Sequence, residues 1–295
     1  MNRWRKAIEQ VIQWALLGTA CASILAVLLI LLFLGKDGLP ALFKVPLRDL
    51  FCNRWVPISF QQARFGLFPL ILGSVLITVL ATILTVPLGV GGATYLSEFA
   101  GARERELLKP FIEVLAGIPS VVLGFFGLVV IGPAVKSLFG LPSGLTALTG
   151  AILLAFMAVP TVLTIAEDAL RAVPRSYKDA SLALGATSWQ TAWRVTLPAA
   201  SSGVVAAVLL GVGRVIGETM AVMMVTGNAA AMSISPFDSV RTMTATIAAE
   251  MGEVEFGSEH YNVLFLVGLV LFGMTLAVNL YARRLLVPKA GRRRG

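Results

Sequence analysis

Residues 177–198 read YKDASLALGATSWQTAWRVTLP. This is the longest interior run of polar character, and apolar segments flank it on both sides. Pro174, just before it, suits the first turn of a helix. Tyr177, Ala180 and Leu184 then recur at i, i+3 and i+7, which is one helical face. Gly185 supplies a helix stop. Thr187 and Gln190 have the spacing of a capping box, which starts a second helix. That helix sets Trp189 and Trp193 four residues apart on one face. Pro198 restarts the chain into the next apolar segment. The loop 174–198 therefore reads as helix, glycine hinge, helix, folded but too short to be a domain. Two uses stay open for the tryptophans. On a short helix they suit a hot spot filling a partner's groove; at a membrane surface they suit the headgroup layer.

Around this loop the chain is apolar. Of 295 residues 57% are hydrophobic and only 14% charged, against about 25% charged in soluble domains. Six runs approach the ~20 apolar residues that a bilayer crossing needs: about 12–34, 68–96, 110–139 (broken near Pro119), 146–169, 199–227 and 262–286. The fold class is an all-α integral membrane protein with six transmembrane helices in one permease domain, 1–295. No linker or low-complexity run divides it. The first span follows a basic start (Arg3, Arg5, Lys6), and Ala20-Cys21-Ala22 resembles a cleavage site. Its apolar run continues to Leu34, beyond a signal peptide's core, so it reads as an uncleaved anchor.

Orientation follows from where Lys and Arg collect. With the N-terminus inside, the inner segments hold three, three, four and six, sixteen in all. The outer loops hold five, one and one, seven in all. Both termini are expected in the cytoplasm, and the 174–198 loop with them. The net charge of +8 reflects this asymmetry; no basic, aromatic-interleaved soluble domain exists to bind nucleic acid. One histidine and two cysteines offer neither a disulfide framework nor zinc spacing. The first outer loop, about 35–67, carries Trp55, Phe60 and Phe65, read as an interfacial aromatic belt, with contact to an external partner as the alternative.

Within the loop, Asp179-Ala180-Ser181, three residues, Gly185, nine residues, and Val195-Thr196-Leu197-Pro198 resemble the EAA motif of ABC importer permeases, Glu-Ala-Ala, three residues, Gly, nine residues, Ile-x-Leu-Pro. Asp replaces Glu, Ser the second Ala and Val the Ile; the Gly and Leu-Pro spacing is intact. Leu115–Val122 (LAGIPSVV), Arg214–Val222 (RVIGETMAV) and Gly227-Asn228 resemble the phosphate-type permeases. Trp55-x-Pro57, Phe65-Gly66, Gly73-Ser74 and Met220-Ala221 are similar to the PstC type. The resemblance covers about 55–286. It implies the type I importer permease fold with a cytoplasmic coupling helix. It further implies that Asp179, Ala180, Ser181, Gly185, Leu197 and Pro198 engage an ATPase subunit. The implied partners are a homologous second permease of PstA type, two ATPase subunits that bind ATP and Mg, and an external phosphate-binding protein, all in the bacterial inner membrane. No cofactor is implied in this chain itself.

Arg214 and Glu218 stand four apart near the middle of the fifth span, a spacing that puts both on one helix face. Intramembrane charges mark substrate paths, and an arginine offers forked donors to phosphate oxygens. Arg214 is read as the anion contact, with a paired Glu218 keeping binding weak enough for release. A pair that merely lets the helix insert is the bland alternative. Gly213-x-x-x-Gly217 suits close helix packing and also clears space beside Arg214. The Ser74, Thr78, Thr82 and Thr85 hydroxyls are expected to bond back to their helix or glue helices together. Glu167 and Asp168, near the cytoplasmic end of span four, are expected in water. The chain lacks the Gly-x-x-x-x-Gly-Lys loop that cradles nucleotide phosphates and any nucleophile elbow or carboxylate pair. The function expected is the translocating subunit of an ATP-driven phosphate importer rather than an enzyme. A permease for sulfate or molybdate is the near rival, and a secondary transporter the distant one.

Overall fold

The computed structural model describes residues 3–57 and 63–286. Phe60 and the basic residues beyond 286 lie outside the described residues. Helix α1, Arg3–Gly38, runs 36 residues, about 54 Å at 1.5 Å per residue, and so overshoots the ~30 Å hydrocarbon layer. Two short helices follow, α2 Ala41–Lys44 and α3 Leu47–Leu50, each opened by a proline, Pro40 and Pro46. A two-stranded antiparallel hairpin, β1 Trp55–Val56 and β2 Arg64–Phe65, pairs Trp55 with Phe65.

Helix α4, Leu67–Thr94, ends in a turn of π-helix, Tyr95–Phe99. Helix α5, Ala102–Ala116, buries none of its residues and is amphipathic. The chain then breaks at Gly117-Ile118-Pro119 and continues as α6 Ser120–Phe126, a π turn Gly127–Ile131, and α7 Gly132–Phe139. The expected third span, 110–139, is therefore too long: the apolar crossing is 120–139. Proline restricts the residue before it to extended backbone, so Pro119 ends α5 rather than kinking a single helix.

Helix α8, Ala147–Arg171, starts at Thr146, whose hydroxyl accepts the Thr149 N–H at 3.2 Å. It is the axis of the bundle. One core joins it to α4, α6 and the two pieces of the fifth span through Ile77, Leu123, Leu154, Met157, Val215 and Val222. A second core, at the other end of α8, gathers Ala93, Leu96, Val162, Leu170, Val204 and Ala207. Close approach depends on small residues, since a side chain at Gly89 or Gly211 would strike Val162, and one at Gly203 would strike Ala169.

The loop after α8 carries α9 Arg175–Ala183, α10 Ser188–Thr191, a π turn Ala192–Thr196 and α11 Leu197–Ala199. The chain bends by 75° into α12, Ser201–Gly217. Pro198 lacks an N–H for the preceding turn, which is the π turn, and the corner follows at Ala200. A short helix α13, Met220–Val225, a further one α14, Met243–Glu250, and the last, α15 Glu259–Leu286, complete the order. Among the described residues five helices are long and apolar enough to cross a membrane, and the bent pair ending in α12, counted as one span, makes a sixth.

Three more expectations change. The fifth span is not one helix over 199–227, because α12 stops at Gly217 and Glu218 is extended (φ −70°, ψ 133°). The Gly213-x-x-x-Gly217 pair packs against nothing within 4 Å; Gly203 and Gly211, one face over, make the close contacts instead. Trp55 and Phe65 are neither an interfacial belt nor an outward contact: each is only 4% exposed. They join Leu67, Met243, Val263 and Leu264 in a third core under the hairpin.

Candidate functional site

Two regions hold the residues singled out by sequence. The first is the loop after α8. Its helix α9 buries nothing, so Asp179 and Ala180 face outward, and Leu184 is 90% exposed. Gly185 sits at φ +84°. Its N–H donates to the Leu182 carbonyl at 2.9 Å, and that of Ala186 to the Ser181 carbonyl at 3.2 Å. This doubly bonded turn closes the end of α9 as a left-handed glycine allows. Thr187 and Gln190 form the capping box the spacing predicts. Pro174 stands one position earlier than expected, before the first turn rather than in it.

The element is braced from three sides. Lys178 Nζ pairs with Glu98 at 2.7 Å, tying α9 to the π turn after α4. The Ser181 and Thr191 hydroxyls share a hydrogen bond at 2.9 Å, closing α9 onto α10. Trp189 stacks edge-on to Trp193 at 5.6 Å and lies 5.9 Å from Phe99. Both tryptophans stay about half exposed. Phe99 was not singled out by sequence; an aromatic beside the acidic Glu98, at the end of a span, was the available signal.

The floor of this region is a buried charge. Glu167, expected in water, is 1% exposed. Lys109 from α5 reaches it at 2.9 Å and Arg171 at 3.3 Å; the expectation failed because α5 folds across it. The hydrogen bond to Glu167 holds the Lys109 ammonium above its ordinary value, against the lowering effect of burial. Asp168, which Lys109 also approaches at 3.6 Å, does lie exposed.

The second region is the break in the fifth span. Arg214 and Glu218 do not pair. The Arg214 guanidinium donates to the Thr161 hydroxyl of α8 at 3.3 Å and is exposed; among the described residues no carboxylate reaches it. Glu218 leaves the helix face because its carboxylate accepts the Ala221 N–H at 3.2 Å. An acidic side chain capping the next helix competes with continuing the first. The Glu218 carbonyl accepts the Thr244 hydroxyl of α14 at 2.9 Å. Gly213 and Gly217 leave open space beside Arg214. An unpaired guanidinium beside open space, one turn before a helix break, can take an anion with most of its five donors. Thr161 was missed by sequence reading, although it is the polar residue that follows Pro160.

Helix α14 links this break to the far end of the bundle. Its first N–H, that of Met243, donates to the Ser74 hydroxyl at 2.9 Å, and the Arg241 carbonyl lies where Gly73 has no side chain. Ser74, Thr78 and Thr82 also bond back to carbonyls four residues earlier. At the other end of α14, Glu250 pairs with Arg241 at 2.8 Å and His260 at 2.8 Å, and accepts the Trp55 indole N–H at 3.0 Å. Burial pushes the Glu250 carboxyl up. The His260 hydrogen bond, the Arg241 charge and the Trp55 N–H outweigh that, so it ends below its ordinary value.

Comparison with known proteins fits this geometry. The family described as binding-protein-dependent transport system inner membrane component matches residues 86–289. The "Probable ABC transporter permease protein YqgH" of Bacillus subtilis is 38% identical over 290 residues, covering 96% of this chain and 93% of that protein. The "Phosphate transport system permease protein PstC" of Mesorhizobium japonicum is 34% identical over 252 residues, covering 79% of this chain and 76% of that protein. Among solved structures, a chain of a bacterial alginate ABC transporter in complex with its periplasmic protein superposes with a TM-score of 0.61. It covers 97% of this chain and 99% of that one at 13% identity, a likeness of fold.

Proposed function

From a chain that belongs to the binding-protein-dependent transport inner membrane components, and within them to the PstC type, we propose a transport path that passes Arg214. The chain is the multi-pass inner-membrane subunit of an ABC phosphate importer, with the fold of a type I importer permease. The observation that carries the path is the unpaired guanidinium at the break of the fifth span. An arginine inside a membrane costs about 2.5–3.5 kcal/mol on insertion scales. Nothing acidic among the described residues offsets that cost, so a permanent structural pair does not account for Arg214; a visiting anion does.

Glu218 has a different part from the one its spacing suggested. Rather than competing for the guanidinium, it caps α13 and so keeps the break open beside Arg214. The 174–198 element docks on an ATPase subunit through the exposed Asp179 and Ala180, while Ser181 holds α9 onto α10 through Thr191. Gly185 and Leu197-Pro198 set its two corners. ATP and Mg bind that subunit, and a PstA-type permease and an external phosphate-binding protein complete the assembly. With both termini in the cytoplasm, ATP-driven closure of the ATPases pushes α9. The rigid α8 then carries that motion to Thr161 and Arg214.

The test is Arg214→Gln in the assembled transporter, with phosphate uptake and subunit co-purification measured together. Uptake is expected to vanish while the subunits still co-purify; wild-type uptake would overturn the proposal. Competition by sulfate and molybdate in the same assay reports which oxyanion the path accepts.

A further inference from the structure

A cavity of about 600 Å³ opens between α9, α10, the π turn after α4 and the end of α8. Its lining is polar and predominantly cationic. Arg105, Arg171, Arg175 and Lys178 face Glu98 and Asp179 there. Glu98 is spent on Lys178 and Glu167 on Arg171. Arg105 spends its donors on the Leu96 and Ser97 carbonyls, so its charge stays uncompensated. Arg175 has no ion pair among the described residues. Asp179 is the one lining carboxylate without an ion pair, which leaves the cavity with an excess of positive charge. Hydroxyl donors stand beside these cations: Ser97 from the π turn, Ser188 and Thr191 from α10.

The start of α9 adds to this. Pro174 precedes the helix and no side chain caps it. The first amides of a helix have no partner within it, and the dipole there favours an anion. Arg175 and Lys178 both belong to this first turn. Cations and hydroxyls from the π turn, α5, α8, α9 and α10 therefore line one compact space, with the start of α9 at its edge.

We propose that this cavity is an anion site for a phosphate-type group, distinct from the path at Arg214, and that its occupancy braces α9 against α4 and α8. Inorganic phosphate and the phosphate of an anionic lipid headgroup share the required chemistry: compact, tetrahedral and acceptor-rich. On the orientation proposed above, the cavity faces the cytoplasm, and only that placement rests on the earlier reading. An anion held there would stiffen the element that meets the ATPase, and so would set how readily it moves.

The experiment uses the whole transporter in detergent, with Cys21 and Cys52 replaced by alanine and Ser188→Cys as the reporter. The rates of modification by an anionic methanethiosulfonate reagent (sulfonatoethyl) and a cationic one (trimethylammonioethyl) are compared, each divided by that reagent's rate with a small free thiol. The anionic reagent is expected to react faster, and Arg175→Gln to lower the anionic-to-cationic ratio at least about twofold, as loss of one nearby, partly screened charge would. Arg175→Lys should restore the ratio, which separates charge from damage to the fold. Millimolar inorganic phosphate slowing the anionic reagent identifies free phosphate as the ligand. Slowing only by nanodiscs containing phosphatidylglycerol, and not by phosphatidylcholine alone, identifies a headgroup. Equal rates for the two reagents would overturn the proposal, as would protection by the ATPase subunit alone with no effect of phosphate or lipid. None of these readouts requires uptake, so a failure of the Arg214 path leaves them interpretable.

Discussion

The Thr244 hydroxyl donates to the Glu218 carbonyl at 2.9 Å, so the break in the fifth span is held by α14 and not by its own helix. Removing one partner of such a bond leaves the other polar group unsatisfied at about 1–3 kcal/mol. Thr244→Val is expected to impair uptake, whereas Thr244→Ser, which keeps the donor, is expected to retain it. Uptake by the two variants, measured beside their thermal stability, checks this; a Val variant as active as the parent would remove α14 from the path.

Glu250 gathers the hairpin end of the molecule, where Arg241, His260 and Trp55 all bond to it. Its carboxyl titrates below the ordinary 4.5 in the folded chain. The stabilisation is thus complete above about pH 4.5 and is lost only as the pH falls through the lower, folded value. Glu250→Gln should cost about 2–3 kcal/mol near neutrality and flatten the acid limb of a melting-temperature profile. A variant whose acid limb matches the parent's would contradict this.

Glu167 lies between Lys109 and Arg171. Glu167→Gln removes the buried carboxylate that two part-exposed cations share, at a cost of about 1–3 kcal/mol. The Lys109 value is raised above 10.5, so its contribution is full at and below that pH and fades only as the pH rises through the folded value. Between pH 6 and 9 the melting temperature of the parent should therefore show no trend from this pair. Lys109→Met in the Glu167→Gln background should recover part of the loss, which a double-mutant cycle measures.

The glycines of α12 divide sharply. Gly211→Leu is expected to force α12 off Val162 and to cost assembly, since overpacking of this kind costs about 1–3 kcal/mol or more. Gly213→Ala and Gly217→Ala meet open space and are expected to leave the melting temperature unchanged or slightly higher. Size-exclusion profiles of the assembled transporter would decide between them.

At Gly185, φ is +84°, a conformation that costs a side-chain-bearing residue about 1–2 kcal/mol. Gly185→Val should turn α10 away from α9 and lose the co-purifying ATPase, while Gly185→Asn, which tolerates the left-handed region, should keep it. Equal recovery of ATPase with both variants would detach the turn from coupling.

The apolar crossings were legible because ~20 apolar residues in a row have few other uses, and the 174–198 loop because glycine, proline and a capping box punctuate it. The break at Glu218 was not legible. Arg214 and Glu218 have perfect helical spacing, and only the competition of Ala221 and Thr244 for the Glu218 polar groups removes the glutamate from that face. The same limit hid Glu167, whose cover comes from α5, far away in sequence. Likewise Trp55 and Phe65 read as interfacial aromatics until α14 and α15 closed over them. Local chemistry fixes what a segment can be; which neighbour claims its polar atoms is a property of the fold.

No residue in the most apolar stretch of α1 is buried against the rest of the chain. Its contacts fall at its far end, where Gly38 and Leu34 meet Leu266 and Gly268 of α15 and Asn262 holds the Asp37 carbonyl at 2.8 Å. Helix α1 therefore docks on a helix made about 220 residues later in the chain. It must wait in lipid through the synthesis of everything between, so a polypeptide stopped short of α15 would carry a packed bundle with α1 adrift, a ready mark for membrane quality control.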